Sequence, residues 1–110
     1  MIRKLRSVRE HLEEKLRDPY FKELYELEQE RMKIAKLFVD YRIKNDITQE
    51  ELAKKLGVTQ QYISKLEEGI FSNIREVAKI LLVIGYKIEF RIVTIPGRIS
   101  KIIRNKLQLA

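Results

Sequence analysis

An all-α bundle with an N-terminal helical extension and a single C-terminal β-strand is the fold class predicted by this 110-residue sequence. Three observations carry that prediction. Residues with N-capping chemistry stand at Asp18, Thr48 and Thr59, each just ahead of apolar residues in helical register. Glycines 57 and 69 fall where two of those patterns stop. Only after Gly85 does the apolar period change from that of a helix to that of a strand.

Taken in order, Ser7 and Glu10 have capping-box spacing, so a helix is expected from there to about Arg17. Asp18-Pro19 ends it and opens the next, with Asp18 as N-cap and Pro19 in the first helical position. From there to Asn45 no glycine or proline intervenes, and Leu24, Leu27, Ile34, Phe38 and Tyr41 recur in helical register. Arg31 breaks that stripe. The polar run from Glu28 to Arg31 suits either a bend or the solvated surface of one long helix, and the long helix is expected.

Asn45-Asp46-Ile47 is a turn, after which Thr48 caps a helix to Leu56 with Glu51 completing a capping box. Gly57-Val58 turns the chain, and Thr59 caps a helix to about Glu68. Gly69 stands where left-handed backbone is wanted. Ser72 or Asn73 caps a helix of about three turns, with Val77, Ile80, Leu81 and Ile84 facing inward.

From Tyr86 to Ile92 apolar and charged residues alternate, and Val93-Thr94-Ile95 extends the run. A lone strand cannot satisfy its own ladder, so it is expected to pair with its copy in a homodimer. Pro96-Gly97 closes it. The tail carries Arg98, Lys101, Arg104 and Lys106 and no acid, with Ile99, Ile102, Ile103 and Leu107 at helical spacing. A short basic amphipathic helix fits, docked on the domain, docked on a partner, or ordered only when bound. The expected organisation is therefore an extension over 1–31, a core domain over 32–85, a dimerisation strand over 86–95 and a basic tail over 96–110.

Composition narrows the function. No cysteine is present, which excludes disulfides and thiolate metal sites. The start, Met1 to Arg6, lacks the apolar stretch of a signal peptide, and the apolar run 80–84 is far too short to span a bilayer. A cytoplasmic protein without membrane association is expected. The single histidine, His11, sits among Arg9, Glu13 and Glu14 on a solvated helix face, so no metal or cofactor is expected. No nucleophile–base constellation or glycine-rich phosphate loop is evident, so there are no candidate catalytic residues.

The net charge of +7 is uneven: residues 1–31 balance at zero, 32–69 hold +1 and 70–110 hold +6. Basic charge gathered in one third of a chain fits either a polyanion-facing surface or a solubilising tail.

Residues 48–69 carry the most specific chemistry. Two short helices meeting at a steep angle need a small residue at their approach, which Ala53 provides, and Gly57 permits the tight turn. Leu52, Leu56, Val58, Ile63 and Leu66 share an apolar face. Thr59-Gln60-Gln61-Tyr62 opens the second helix with amide side chains that can take adenine through N6 and N7. Gln49 begins the first helix, where backbone N–H groups favour a phosphate.

On these residues the segment resembles the helix-turn-helix of the Cro- and lambda-repressor-like (XRE) family, over about Met32 to Gly85. The resemblance implies binding of double-stranded DNA at an inverted-repeat operator. It places Gln60, Gln61 and Lys65 against bases, with Thr59, Tyr62, Ser64 and Asn73 at the same interface. Gln49 would hold a phosphate and orient Gln60, and Arg42 and Glu67 match an internal ion pair. Tyr62 is larger than the residue many relatives carry there, so base preference does not transfer. The loop 69–73 is also short of charge.

The flanks, Asp18-Pro19-Tyr20-Phe21 and Gly85 to Phe90, resemble those of HigA-type antitoxins. That resemblance implies neutralisation of a RelE/HigB-like ribonuclease toxin and repression of the chain's own operon as a dimer. Leu16, Tyr20, Phe21 and Leu24 are then the candidate partner-binding residues, in an extension whose Glu10, Glu13, Glu14, Glu23, Glu26 and Glu28 would complement a basic toxin. A stand-alone or prophage regulator, and an interaction module with little DNA affinity, are the alternative readings.

Overall fold

A computed structural model describes the backbone of residues 2–109 and the side chains of residues 7–109. Met1 and Ala110, the outermost residues of the expected extension and tail, lie outside them. Six helices form among the described residues: α1 (Ile2–Lys15), α2 (Pro19–Lys44), α3 (Gln49–Leu56), α4 (Gln60–Glu67), α5 (Ile74–Val83) and α6 (Gly97–Lys106). The chain divides into two compact units, one of residues 29–91 and one of residues 1–28 with 92–110. The long helix α2 contributes its first turns to the second unit and the rest to the first.

The unit of residues 29–91 holds the core. Phe38, Leu52, Ala53, Ile63, Leu66, Val77, Ile80, Leu81 and Ile84 form one buried cluster drawn from α2, α3, α4 and α5 and the residue that follows it. Full burial of a side chain the size of Leu, Ile or Phe contributes about 1.5–3 kcal/mol, and six of these residues are at 1% exposure or less. This cluster is what sets α3 and α4 side by side, since each is only eight residues long and too short to persist alone.

Local chemistry sets where these helices begin. Thr48 Oγ1 accepts from the Glu51 amide at 3.1 Å while Glu51 Oε1 accepts from the Thr48 amide at 3.3 Å, a complete capping box. Thr59 Oγ1 accepts from the Tyr62 amide at 3.1 Å, and Asn73 Oδ1 from the Glu76 amide at 3.1 Å, so Asn73 rather than Ser72 caps α5.

The ends follow one rule. After α3, Val58 N–H donates to Ala53 and Gly57 N–H to Lys54, with Gly57 at φ 71°, which is a Schellman motif. The same pair of bonds ends α2, where Asp46 takes the left-handed position at φ 51°. Aspartate tolerates that conformation because its short side chain hydrogen-bonds locally.

The unit of residues 1–28 and 92–110 contains α1, the start of α2 and α6, and none of its described residues is fully buried. Asp18 Oδ1 accepts from the Tyr20 amide at 3.0 Å and caps α2. Phe21 and Tyr25 stack at 6.2 Å, and Lys15 lies 5.5 Å from the Phe21 ring. The tail docks here: Lys106 Nζ bonds Asp18 Oδ2 and lies over the Tyr20 ring.

Two expectations need correction. The first helix starts at Ile2, not Ser7, because a capping-box sequence does not stop a helix whose upstream residues also favour one. By contrast, the long helix expected across the polar run 28–31 is formed, with α2 uninterrupted over 26 residues. The strand expected over 86–95 is not formed: residues 86–96 have no regular structure. Of its alternating apolar side chains only Ile88 packs on the core, while Tyr86, Phe90 and Ile92 are 47%, 75% and 97% exposed. The physical reason is the missing ladder, because no second strand among the described residues is there to pair with those backbone groups.

Candidate nucleic-acid interface

The Thr59 cap fixes the start of α4, and Ile63 and Leu66 bury its inner face at 0% exposure. Helical periodicity then leaves Gln60, Gln61 and Lys65 outside, and all three are exposed. Tyr62 and Ser64 are half-buried on the flanks, with Tyr62 packed against the core cluster. Burial first, and the Glu76 carboxylate second, push the Tyr62 phenol above its ordinary range, so at neutral pH it is a neutral hydroxyl that can donate a hydrogen bond. Thr59 and Asn73 use their side-chain oxygens as caps. Asn73 is exposed and keeps its amide N–H₂ for other partners.

Arg42, Gln49 and Glu67 come together beneath this surface. Arg42 Nε and Nη2 each lie 2.9 Å from Glu67 Oε1, and Gln49 Nε2 donates to Glu67 Oε2 at 2.8 Å. The carboxylate therefore joins α2, α3 and α4 at one point. Gln49 is half-buried with its amide turned toward Glu67, not toward Gln60. The sequence suggests a link between two glutamines, and the geometry instead ties Gln49 into the ion pair.

Sequence reasoning misses the part that Arg31 plays. Its Nη1 donates to the Phe71 carbonyl at 2.8 Å, and its guanidinium lies 5.0 Å from the Phe71 ring. It thereby clamps the loop that follows α4. Beside it, a Cβ on Gly69 would sit 2.7 Å from Met32 Sδ, and Gly69 takes φ 79°, so loop and helix approach closely there. The only signal in the sequence is a charged residue interrupting an apolar stripe.

Around this clamp an open pocket of about 470 Å³ is lined by Arg31, Tyr62, Lys65, Ile70, Phe71, Ser72 and Asn73. Its donors come from Lys65, Ser72 and Asn73, beside the exposed face of α4. On the neighbouring surface Lys55 Nζ donates to the Tyr41 hydroxyl at 2.5 Å and lies over its ring, while Lys54 is exposed. The arrangement presents amides, hydroxyls and ammonium groups and no carboxylate on the first two turns of α4, which suits an electron-rich partner.

In the other unit, Leu16, Tyr20 and Phe21 are half-buried and Leu24 is 45% exposed. Among the described residues no group of acids and histidines is placed to hold a metal ion, and no helix is long and apolar enough to cross a membrane.

Residues 40–90 match a family model described as helix-turn-helix. An uncharacterised HTH-type transcriptional regulator of Methanocaldococcus jannaschii is 46% identical over 50 residues, covering 44% of this chain and 76% of that protein. No solved structure matches the chain.

Proposed function

This chain belongs to the helix-turn-helix family, and from that premise we propose that it is a sequence-specific DNA-binding repressor. Gln60 and Gln61, exposed on the capped first turn of α4 and backed by buried Ile63 and Leu66, carry this reading. They enter the major groove and read base edges, with Lys65 beside them and the Asn73 amide on a neighbouring phosphate. Gln49 and Thr59 support α4 from below. Ser64 and the neutral Tyr62 hydroxyl complete the contact.

The site is read by a homodimer at an inverted repeat, with half-site centres roughly 34 Å apart or a multiple of that. The exposed run of Phe90, Ile92, Val93 and Ile95 is the surface that a second copy covers, supplying the ladder that a single chain lacks.

The test is selection of duplexes from a random library, followed by affinity measurements on the selected site. Gln60→Ala and Gln61→Ala are each expected to weaken binding by about 1–3 kcal/mol, while affinity for random duplex stays level. Selected-site affinity equal to the parent in both variants overturns the recognition-helix assignment.

The finer role is that of an antitoxin that neutralises a RelE/HigB-like ribonuclease and represses its own operon. The exposed acids Glu10, Glu13, Glu14, Glu23, Glu26 and Glu28 complement a basic partner, with Leu16, Tyr20, Phe21 and Leu24 as its apolar footing. Pull-down of the tagged full chain from its host is expected to recover a small basic protein in stoichiometric amount, whose ribonuclease activity the chain inhibits. Recovery of the chain alone, still active on DNA, makes it a stand-alone regulator.

A further inference from the structure

The helix-turn-helix unit carries little excess charge for a surface facing phosphates. Residues 29–91 hold twelve Lys and Arg against nine Asp and Glu. Several of those cations are already engaged: Arg42 with Glu67, Lys33 with Glu30, Lys87 with Glu89 and Arg31 with the Phe71 carbonyl. Residues 92–110, by contrast, hold four cations and no acid, and all four fall on α6.

The docking of α6 sorts those four. Lys106 is bonded to Asp18, and the half-buried Ile99 and Ile103 lie on the same side of the helix. Arg98, Lys101 and Arg104 recur at every third residue and so fall within an arc of about 120° on the opposite side. All three are exposed, and none has an acidic partner among the described residues. The arc between them carries only Gly97 and Asn105. It therefore offers charge and hydrogen-bond donors but no apolar anchor of the kind that dominates protein–protein contacts.

We propose that this face of α6 is a second nucleic-acid contact surface, one that holds the sugar–phosphate backbone of duplex DNA through Arg98, Lys101 and Arg104. The choice of duplex DNA as the polyanion rests on the DNA-binding reading of α4. The contact is independent of sequence: it raises affinity for every duplex alike and leaves discrimination to α4. Being tethered to the reading unit, it acts at high local concentration and needs little affinity of its own.

The full-length triple variant Arg98→Gln, Lys101→Gln, Arg104→Gln tests this, because it spares Lys106, Ile99 and Ile103 and so keeps the docking of α6. Circular dichroism and thermal melting matching the parent verify that it folds. Affinity is then read on the library-selected duplex and on random duplex across a salt series. Three lost phosphate contacts on each bound chain make the slope of log K against log salt shallower by about 2.7 per chain on both duplexes. Between 50 and 200 mM salt the parent then loses about 40-fold more affinity than the variant for each chain bound.

An unchanged slope on both duplexes overturns the proposal. So does an unchanged duplex slope with loss of binding to single-stranded RNA, which assigns the face to RNA. The two readings fail separately. A parent that selects no sequence but shows the slope change on random duplex removes the α4 reading and keeps this one. A parent that binds no duplex removes both.

Discussion

Phe38→Ala is expected to destabilise the unit of residues 29–91 by about 3–5 kcal/mol, the range for removing a fully buried aromatic ring. Phe38 is at 0% exposure, the largest of the fully buried side chains, in a cluster with Leu52, Ala53, Ile63, Leu66 and Val77. Domains of this size have a total stability of only about 5–15 kcal/mol, so a large part would be lost. Both α3 and α4 depend on that cluster for their positions. Selected-site affinity should therefore fall together with the melting temperature. Gln60→Ala, by contrast, should lose affinity with no change in melting. A melting temperature within a degree or two of the parent would show that the cluster does not set the stability of the reading unit.

Arg42→Ala should lower stability by about 2–3 kcal/mol in urea denaturation. Breaking a buried ion pair costs about 3–5 kcal/mol because the remaining charge is stranded, and the 25% exposure of the Arg42 side chain moderates that figure. The stranded group is the Glu67 carboxylate, whose side chain is 7% exposed and retains only the Gln49 amide. Joint replacement, Arg42→Met with Glu67→Met, is expected to recover most of the loss, since well-packed apolar residues substitute for a buried pair at little net cost. If the double variant is as unstable as Arg42→Ala, packing rather than charge is what Arg42 provides.

Much of the fold was legible because it is written locally. The caps at Asp18, Thr48 and Thr59 and the left-handed glycines at 57 and 69 are contacts within about five residues, and a sequence displays those directly. The inward stripe Val77, Ile80, Leu81 and Ile84 was legible for the same reason: period alone sets which side of α5 faces the core. Ser7 misled because a capping box is a local pattern that an existing helix overrides. The segment 86–95 misled more deeply. Alternation shows that a strand would have two unlike faces, but not that a second strand exists to complete its hydrogen bonds.

The sequence by itself determined the four helical segments of residues 29–91, the rest of α2 with α3, α4 and α5, and which residues of α4 point outward. Those follow from caps, left-handed turns and helical period, all of them short-range. Tertiary structure alone decided that Gln49 serves Glu67 across 18 residues, that Arg31 clamps Phe71 across 40, and that Lys106 docks α6 on Asp18 across 88. Each of these is a charged or amide group meeting one of many available partners. Which partner is met depends on where the buried core brings the backbone, and no local pattern encodes that distance.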